Sequence, residues 1–379
     1  ADSPFAAVVL MRDLSVPWRV PLLLLAFVSL FAGMGAGLAR LGWPLPGANL
    51  AALHGPLMAS GFFGTVISLE RAVALGRKWA YAAPLLSGLA ALATVLGTPA
   101  AVAPALAAVG SAVMFAGSVV ILRRQRELFI LTLCLGAACW TVGNLLWLSG
   151  RPIYVVAPWW IAFLVLTIAG ERLELSRFLP ASPVAKRIFG ALLVLLLGGV
   201  TASLAIRAAG TVVLGIALAG LALWLMRQDV ARRTVRANGL PRFIAVCLLS
   251  GYVWLAISAG TILVSGGLET GGPAYDAALH AVLLGFVFSM VFGHAPIIFP
   301  AVLRVAVPYS PYFYAPLALL HASLAIRLAG DWMLQPQWRA WGGALNGVAL
   351  VAFVLGTVAA VIRGAIGSRA RALSLDKRK

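Results

Sequence analysis

Apolar residues come in long blocks of roughly twenty, separated by short segments where arginine and lysine collect. A block of about 20 apolar residues is the length an α-helix needs to cross the hydrocarbon core of a bilayer. Twelve blocks of this kind can be marked: 20–39, 48–69, 80–98, 104–122, 128–149, 154–170, 188–206, 210–226, 243–265, 277–298, 312–329 and 342–362. The pattern predicts an all-α integral membrane protein with twelve transmembrane helices in a single membrane domain, 1–379. Its first partner is therefore the lipid bilayer.

Composition agrees. Of 379 residues, 62% are hydrophobic and only 11% charged, and the mean hydropathy is +0.99. A soluble domain of this size could not hide so much apolar surface. The net charge of +18 would suggest nucleic acid in a soluble protein. Here the cations lie between the spans, so they read as topogenic and no nucleic-acid partner is expected. Sorted by side, twenty-four of the 29 basic residues fall on one face and five (Arg40, Arg151, Arg207, Arg327 and Arg339) on the other. The rich face takes the cytoplasm, with both termini on it and an even number of spans.

The chain also repeats itself. "ISLERAVALGRKWAYAAPLL" at 67–86 is similar to "IAGERLELSRFLPASPVAKRIFGALL" at 168–193, with Glu70-Arg71 on Glu171-Arg172 at an offset of 101. A third copy begins at "HAVLLGFVFSMVFGHAPIIFPAVL", 280–303, where His280 falls on His54 at an offset of 226. Spans 2, 6 and 10 correspond, which predicts three four-helix pseudo-repeats: 1–127, 128–242 and 243–379.

The candidate chemistry is histidine. The chain has four, His54, His280, His294 and His321, all inside predicted spans, where an imidazole is costly and usually has a partner or a task. For any one of them an interhelical hydrogen bond is the simplest account. His54 and His280 lie a few residues into spans running the same way, so they share a depth near the outer surface and can face each other across a flat cofactor. His280 and His294 are 14 residues apart; on an ideal helix that returns to the same face, ~21 Å along the axis. This spacing suits two haems, one near each surface. His294 with His321 would hold the second haem or a metal. Pro296 and Pro300 each remove a backbone donor, which predicts a kink or unwinding near His294.

Other residues carry weaker signals. Met58, one turn after His54, is a thioether of the kind that ligates haem iron or copper(I), although methionine in an apolar helix is usually packing. Asp276, one turn before His280, reads as a helix-start carboxylate or as a hydrogen-bond partner of a ligand imidazole. Glu70-Arg71 and Glu171-Arg172 read as ion pairs tying repeats together. Arg40, Arg151 and Arg207 are the cations available to neutralise haem propionates. Cys134, Cys139 and Cys247 lie within apolar runs and form no CxxC or CxxCH pattern, which argues against covalent c-type haem and a thiolate zinc site. Residues 5–10, "FAAVVL", are too short for the apolar region of a secretory signal.

The stretch "HGPLM" at 54–58 resembles the second helix of the haem–copper oxidase catalytic subunit, where an HGxxM pattern carries a low-spin haem ligand. The resemblance implies an oxidase subunit I-like superfold in which helices two and ten, hence His54 and His280, hold haem b. The "HA…GH" pattern at 280–294 looks like the NnrS family of haem- and copper-containing bacterial membrane proteins tied to nitric oxide metabolism. That implies a bacterial inner membrane, and a small gas, a quinol or a redox protein as further partner. The departures are specific. An oxidase core needs six histidines and this chain has four; spans 6 and 7 have none, so no copper triad can form, and the HxH pair of helix ten is missing. No carboxylate lies mid-span, which argues against an oxygen-reducing proton pump. The expectation is a membrane b-type haem protein for electron transfer, or for nitric oxide binding or turnover. A haem-free secondary transporter is the alternative: permeases share the span count, although their repeats are usually twofold.

Overall fold

The structure, a computed structural model, describes residues 13–45, 48–176, 182–268 and 271–376. Arg12, Arg177 and the basic residues of 377–379, which enter the charge count, lie outside that range. The long helices are α1 (Val16–Arg40), α2 (Pro56–Leu75), α3 (Ala82–Val95), α4 (Val102–Arg124), α5 (Leu128–Leu148) and α6 (Ile153–Leu175). There follow α7 (Pro183–Ala202), α8 (Arg207–Gln228), α9 (Leu240–Val264), α10 (Pro273–Leu303), α11 (Tyr314–Trp332) and α12 (Pro336–Asp376). Among the described residues, eleven helices are long and apolar enough to cross a membrane. The exception is α3, where the expected span 80–98 is a 14-residue helix entered through a 3₁₀ turn, Lys78–Tyr81.

Side-chain exposure fits lipid as the solvent. Val264 is 91% exposed, Val194 72%, Leu223 70% and Leu355 63%, a dispersed apolar surface that water would penalise. Short connections make consecutive helices pack as antiparallel neighbours, as in α4 with α5, α5 with α6, α7 with α8 and α11 with α12. At the centre is α6: 83% of its most apolar 18-residue window is buried, against 33% for α1 and α7. A helix hydrophobic all round belongs inside. Its neighbours α2 and α10 reach it from opposite ends of the sequence, while α10 and α12 close back onto α1.

Two helices are irregular in the same way. The first eight residues of α2, Pro56–Phe63, are π-helical, and so are Ala281–Phe288 of α10. The segments start 225 residues apart, one two residues after His54 and the other directly after His280. A π segment loosens its carbonyls from the α-helical ladder, and such segments are frequent at functional sites. Here hydroxyls of neighbouring helices satisfy carbonyls at or near them: Ser29 donates to Leu57 O at 2.7 Å, Ser87 to Ser60 O at 2.8 Å and Ser258 to Ala278 O at 2.8 Å.

The π segment corrects two expectations. Ideal-helix arithmetic between His280 and His294 does not apply across eight π-helical residues. The α-helix then runs on through Pro296 and Pro300 to Leu303 and stops at Arg304, whose φ is 55°. The irregularity therefore precedes His294.

A buried polar knot fixes α2 against α4, α5 and α6. Asn144 Oδ1 accepts from Ser60 Oγ (3.0 Å) and Trp160 Nε1 (3.1 Å), its amide donates to Ala107 O (3.1 Å), and Trp140 Nε1 donates to Ser60 Oγ (3.1 Å). Gly64 supplies the room: a Cβ there would run into the Trp140 ring. Asn144→Leu strands two donors and one acceptor in apolar surroundings. It is expected to cost about 1–3 kcal/mol, read as a lowered thermal midpoint of the detergent-purified protein.

Candidate functional site

His54 is delivered by a 3₁₀ turn, Ala48–Leu53, to the start of α2. Its Nδ1 lies 2.7 Å from Gly33 O of α1. A carbonyl only accepts, so Nδ1 carries the proton and the Nε2 lone pair is left for a ligand. One turn further along α1, Gly37 leaves the face of the ring bare; a Cβ there would lie 2.8 Å from His54 Cε1. His280 closes the α-helical turn that opens α10, with Nδ1 2.8 Å from Asp276 O, four residues back. The same tautomer follows, again with Nε2 free.

These two imidazoles meet. Their ring centres are 6.1 Å apart and their planes are inclined by 18°. Cavities flank the pair. One, of about 330 Å³, is walled by Arg40, Tyr154, Trp160, Tyr275, Arg327 and Arg339. Another, of about 70 Å³, runs between α1 and α12 past Met34, Asn346 and Gly347. Gly37, His54, Met58 and His280 line both.

Asp276 anchors the cationic side. Its carboxylate takes Arg327 Nε at 3.0 Å and Arg327 Nη2 at 3.0 and 3.1 Å, with Arg339 Nε at 3.7 Å and His280 Nδ1 3.4 Å from Oδ1. Arg339 also reaches Asp331 Oδ1 at 3.4 Å. Asp276 is thus part of the histidine site rather than a solvated helix-start acid. Of the three expected propionate cations only Arg40 lines a cavity at the pair. Arg151 does not, and Arg207 stacks its guanidinium 4.2 Å from the Tyr154 ring centre. Arg327 and Arg339 line that cavity beside Arg40.

His294 and His321 do not come to one site. His294 is buried on α10, its Nδ1 donates to Met290 O at 2.7 Å, and its Nε2 lies 3.4 Å from Arg172 Nη1. His321 is spent on α9: Trp254 Nε1 donates to Nδ1 at 2.9 Å, and Nε2–H donates to Ser250 Oγ at 3.0 Å. Both nitrogens of His321 are thus engaged in hydrogen bonds to α9. The corrected expectation is the shared site. It rested on depth alone, which says nothing of the face a ring occupies.

At the end of the bundle away from the His54–His280 pair, ion pairs join α2 to α6 and α6 to the segment after α8. Arg71 bridges Glu70 (3.2 Å) and Glu171 (2.9 Å). Arg172 turns away from that group to pair with Asp229 at 2.7 Å. The three cysteines are buried and free. Among the described residues, no group of three His, Cys, Asp or Glu side chains is arranged to hold a metal ion.

The chain belongs to a family described as a domain of unknown function, DUF8744, which matches residues 19–362 and so spans all twelve long helices. No curated protein and no solved structure matches it.

Proposed function

We propose that this chain is a membrane b-type haem protein that holds one haem between His54 and His280 and serves electron transfer. The observation that carries this reading is the ring pair. Metal–nitrogen bonds of ~2 Å on both sides, with about 1.2 Å from each nitrogen to its ring centre, would put two imidazoles that hold one iron about 6.4 Å apart. The observed separation is 6.1 Å. Two imidazoles are too few for a bare zinc or copper ion, but they are the number an iron porphyrin accepts. Cavities on both sides leave space for a macrocycle, and Arg40, Arg327 and Arg339 suit its propionates.

Bound there, the haem would supply a one-electron couple. Gly33 O and Asp276 O hold each imidazole in the tautomer that leaves Nε2 for the iron, and the Asp276 carboxylate, 3.4 Å from Nδ1, helps to orient His280. With both histidines holding it, the haem would supply electron transfer rather than gas chemistry. Nitric oxide binding, which the NnrS resemblance implies, would need one imidazole to leave.

The wider frame belongs to the same proposal. We take α3 as a short twelfth span and the fold as oxidase subunit I-like. The paired π segments after His54 and His280 support related repeats. The charge split supports a bacterial inner membrane with both termini cytoplasmic. The test is a reduced-minus-oxidised visible spectrum with a pyridine haemochrome on protein from haem-replete cells. One haem b per chain is expected; a colourless protein would overturn the reading in favour of transport.

A further inference from the structure

A second cavity, of about 330 Å³, lies between α1, α2, α6, α10 and α12. An apolar cavity of about 150 Å³ already takes benzene, so this one has room for a slim amphiphile. Its wall is apolar except for Glu70, Glu171, Thr167, His294 and Thr357. Two wall residues, Val358 and Ile362 of α12, are 50% and 54% exposed on the outer surface of the bundle, so the cavity opens sideways toward the bilayer. Glu70 and Glu171 meet at one end, bridged by Arg71 at 3.2 and 2.9 Å. Thr167 lies one turn before Glu171 on the same face of α6.

That end is one positive charge short, because two carboxyls share a single guanidinium. The groups packed around them do not make up the difference. Arg172 of α6 is taken by Asp229 at 2.7 Å, Glu174 of α6 is a further acid, and His294 of α10 donates its Nδ1–H to Met290 O. The wall residues from α1 and α12 carry no charge. An uncompensated charge in such a place is costly, and the apolar remainder of the cavity selects a cation with an alkyl tail over a bare ion. We propose that this cavity binds a single-chain cationic amphiphile, its primary ammonium head between Glu70 and Glu171 and its tail toward the lipid mouth. An ammonium has three protons to donate. Two carboxylates and the Thr167 oxygen, whose own proton goes to Phe163 O at 2.8 Å, are three acceptors. In the empty cavity a proton shared by the carboxyls supplies the missing charge; the ammonium replaces it and that proton leaves to water. A fatty acid would add negative charge at the same end, and a neutral alcohol would leave the balance unchanged. Phe63, Phe288 and Leu350 stand between this cavity and the smaller one at the His54–His280 pair, and its occupancy does not require a haem.

The experiment uses the full chain in nanodiscs of synthetic phosphatidylcholine. Decylamine is titrated at neutral pH and bound amine is counted against empty discs. One decylamine per chain is expected. 1-Decanol, the same tail on a neutral head, should bind at least tenfold more weakly, the scale of one charge-assisted hydrogen bond. Glu171→Gln leaves one carboxylate to one guanidinium, so the preference for amine over alcohol should disappear. Glu70→Gln should have the same effect and serves if Glu171→Gln fails to fold. Val354→Phe, which fills the apolar wall without touching an ion pair, should abolish binding of both compounds. Equal binding of amine and alcohol by the wild type overturns the proposal and makes the cavity a lipid-tail groove. An amine preference that survives the glutamine variants overturns it too, as does amine binding retained in Val354→Phe, which would put the amine elsewhere. Each of these outcomes reads the same whether or not the haem spectrum is found.

Discussion

If the proposed haem is present, His54→Ala is expected to abolish its b-type absorbance, and His280→Ala to do the same, because each would remove one of the two imidazoles proposed to hold it and no neighbouring side chain is placed to substitute. Met58 lines both cavities at the site, but its sulfur packs on α1: a Cβ on Gly33 would lie 2.6 Å from it. Three comparisons separate ligation from damage to the fold. His321→Ala should keep a full haem complement, since that ring is hydrogen-bonded to Trp254 and Ser250. Asp276→Asn should keep the ligands while weakening haem retention about tenfold or more, the scale on which partners of ligating imidazoles act. Gly37→Val should lower haem content with helical circular dichroism unchanged, because its side chain would press on the His54 ring. Absorbance that survives in both His54→Ala and His280→Ala, at wild-type haem-to-protein ratio, would move the haem elsewhere in the bundle.

The spans were legible because a bilayer imposes one length on every helix and permits little polarity within it. What the apolar blocks could not convey is backbone detail. The π segments Pro56–Phe63 and Ala281–Phe288 have the same apolar composition as α-helix, and the hydroxyls near them come from other helices. The short α3 escaped for a similar reason: residues 80–98 are apolar throughout, but the chain spends Lys78–Tyr81 on a 3₁₀ turn and leaves the helix after Val95.

The histidine pair was legible because His54 and His280 each lie a few residues into apolar blocks expected to run in the same direction, which places them at one depth. His294 and His321 have no such relation, so depth could not supply a shared face. Arg327 and Arg339 were visible as scarce cations, but only the packing of α10 beside α11 and the entry of α12 show that Asp276 is their partner. Gly37 matters through the absence of a side chain against His54, which no spacing rule signals.

Asp229 is the residue whose loss should cost the fold most. In the sequence it is one acid beside a basic loop; in the structure it is buried to 4% exposure and joins four helices. Arg172 of α6 donates to it from Nε (2.7 Å) and Nη2 (3.2 Å), and the Tyr252 hydroxyl of α9 donates to the same carboxylate. It also accepts from Ala231 N at 2.8 Å just beyond the end of α8, and Arg172 in turn faces His294 of α10. Replacing an ion pair by a matched apolar pair can be neutral, but removing one partner leaves a buried charge with nothing to balance it. Asp229→Ala is therefore expected to destabilise the protein by about 3–5 kcal/mol, read as a large drop in thermal midpoint or failure to accumulate in the membrane. Tyr252→Phe removes one neutral donor and should cost about 1 kcal/mol. The double substitution Arg172→Met with Asp229→Leu should recover most of the loss, since no charge is left stranded. If Asp229→Ala alone melted like the wild type, water would have to reach Arg172, and the interior between α6 and α10 would be wet rather than sealed.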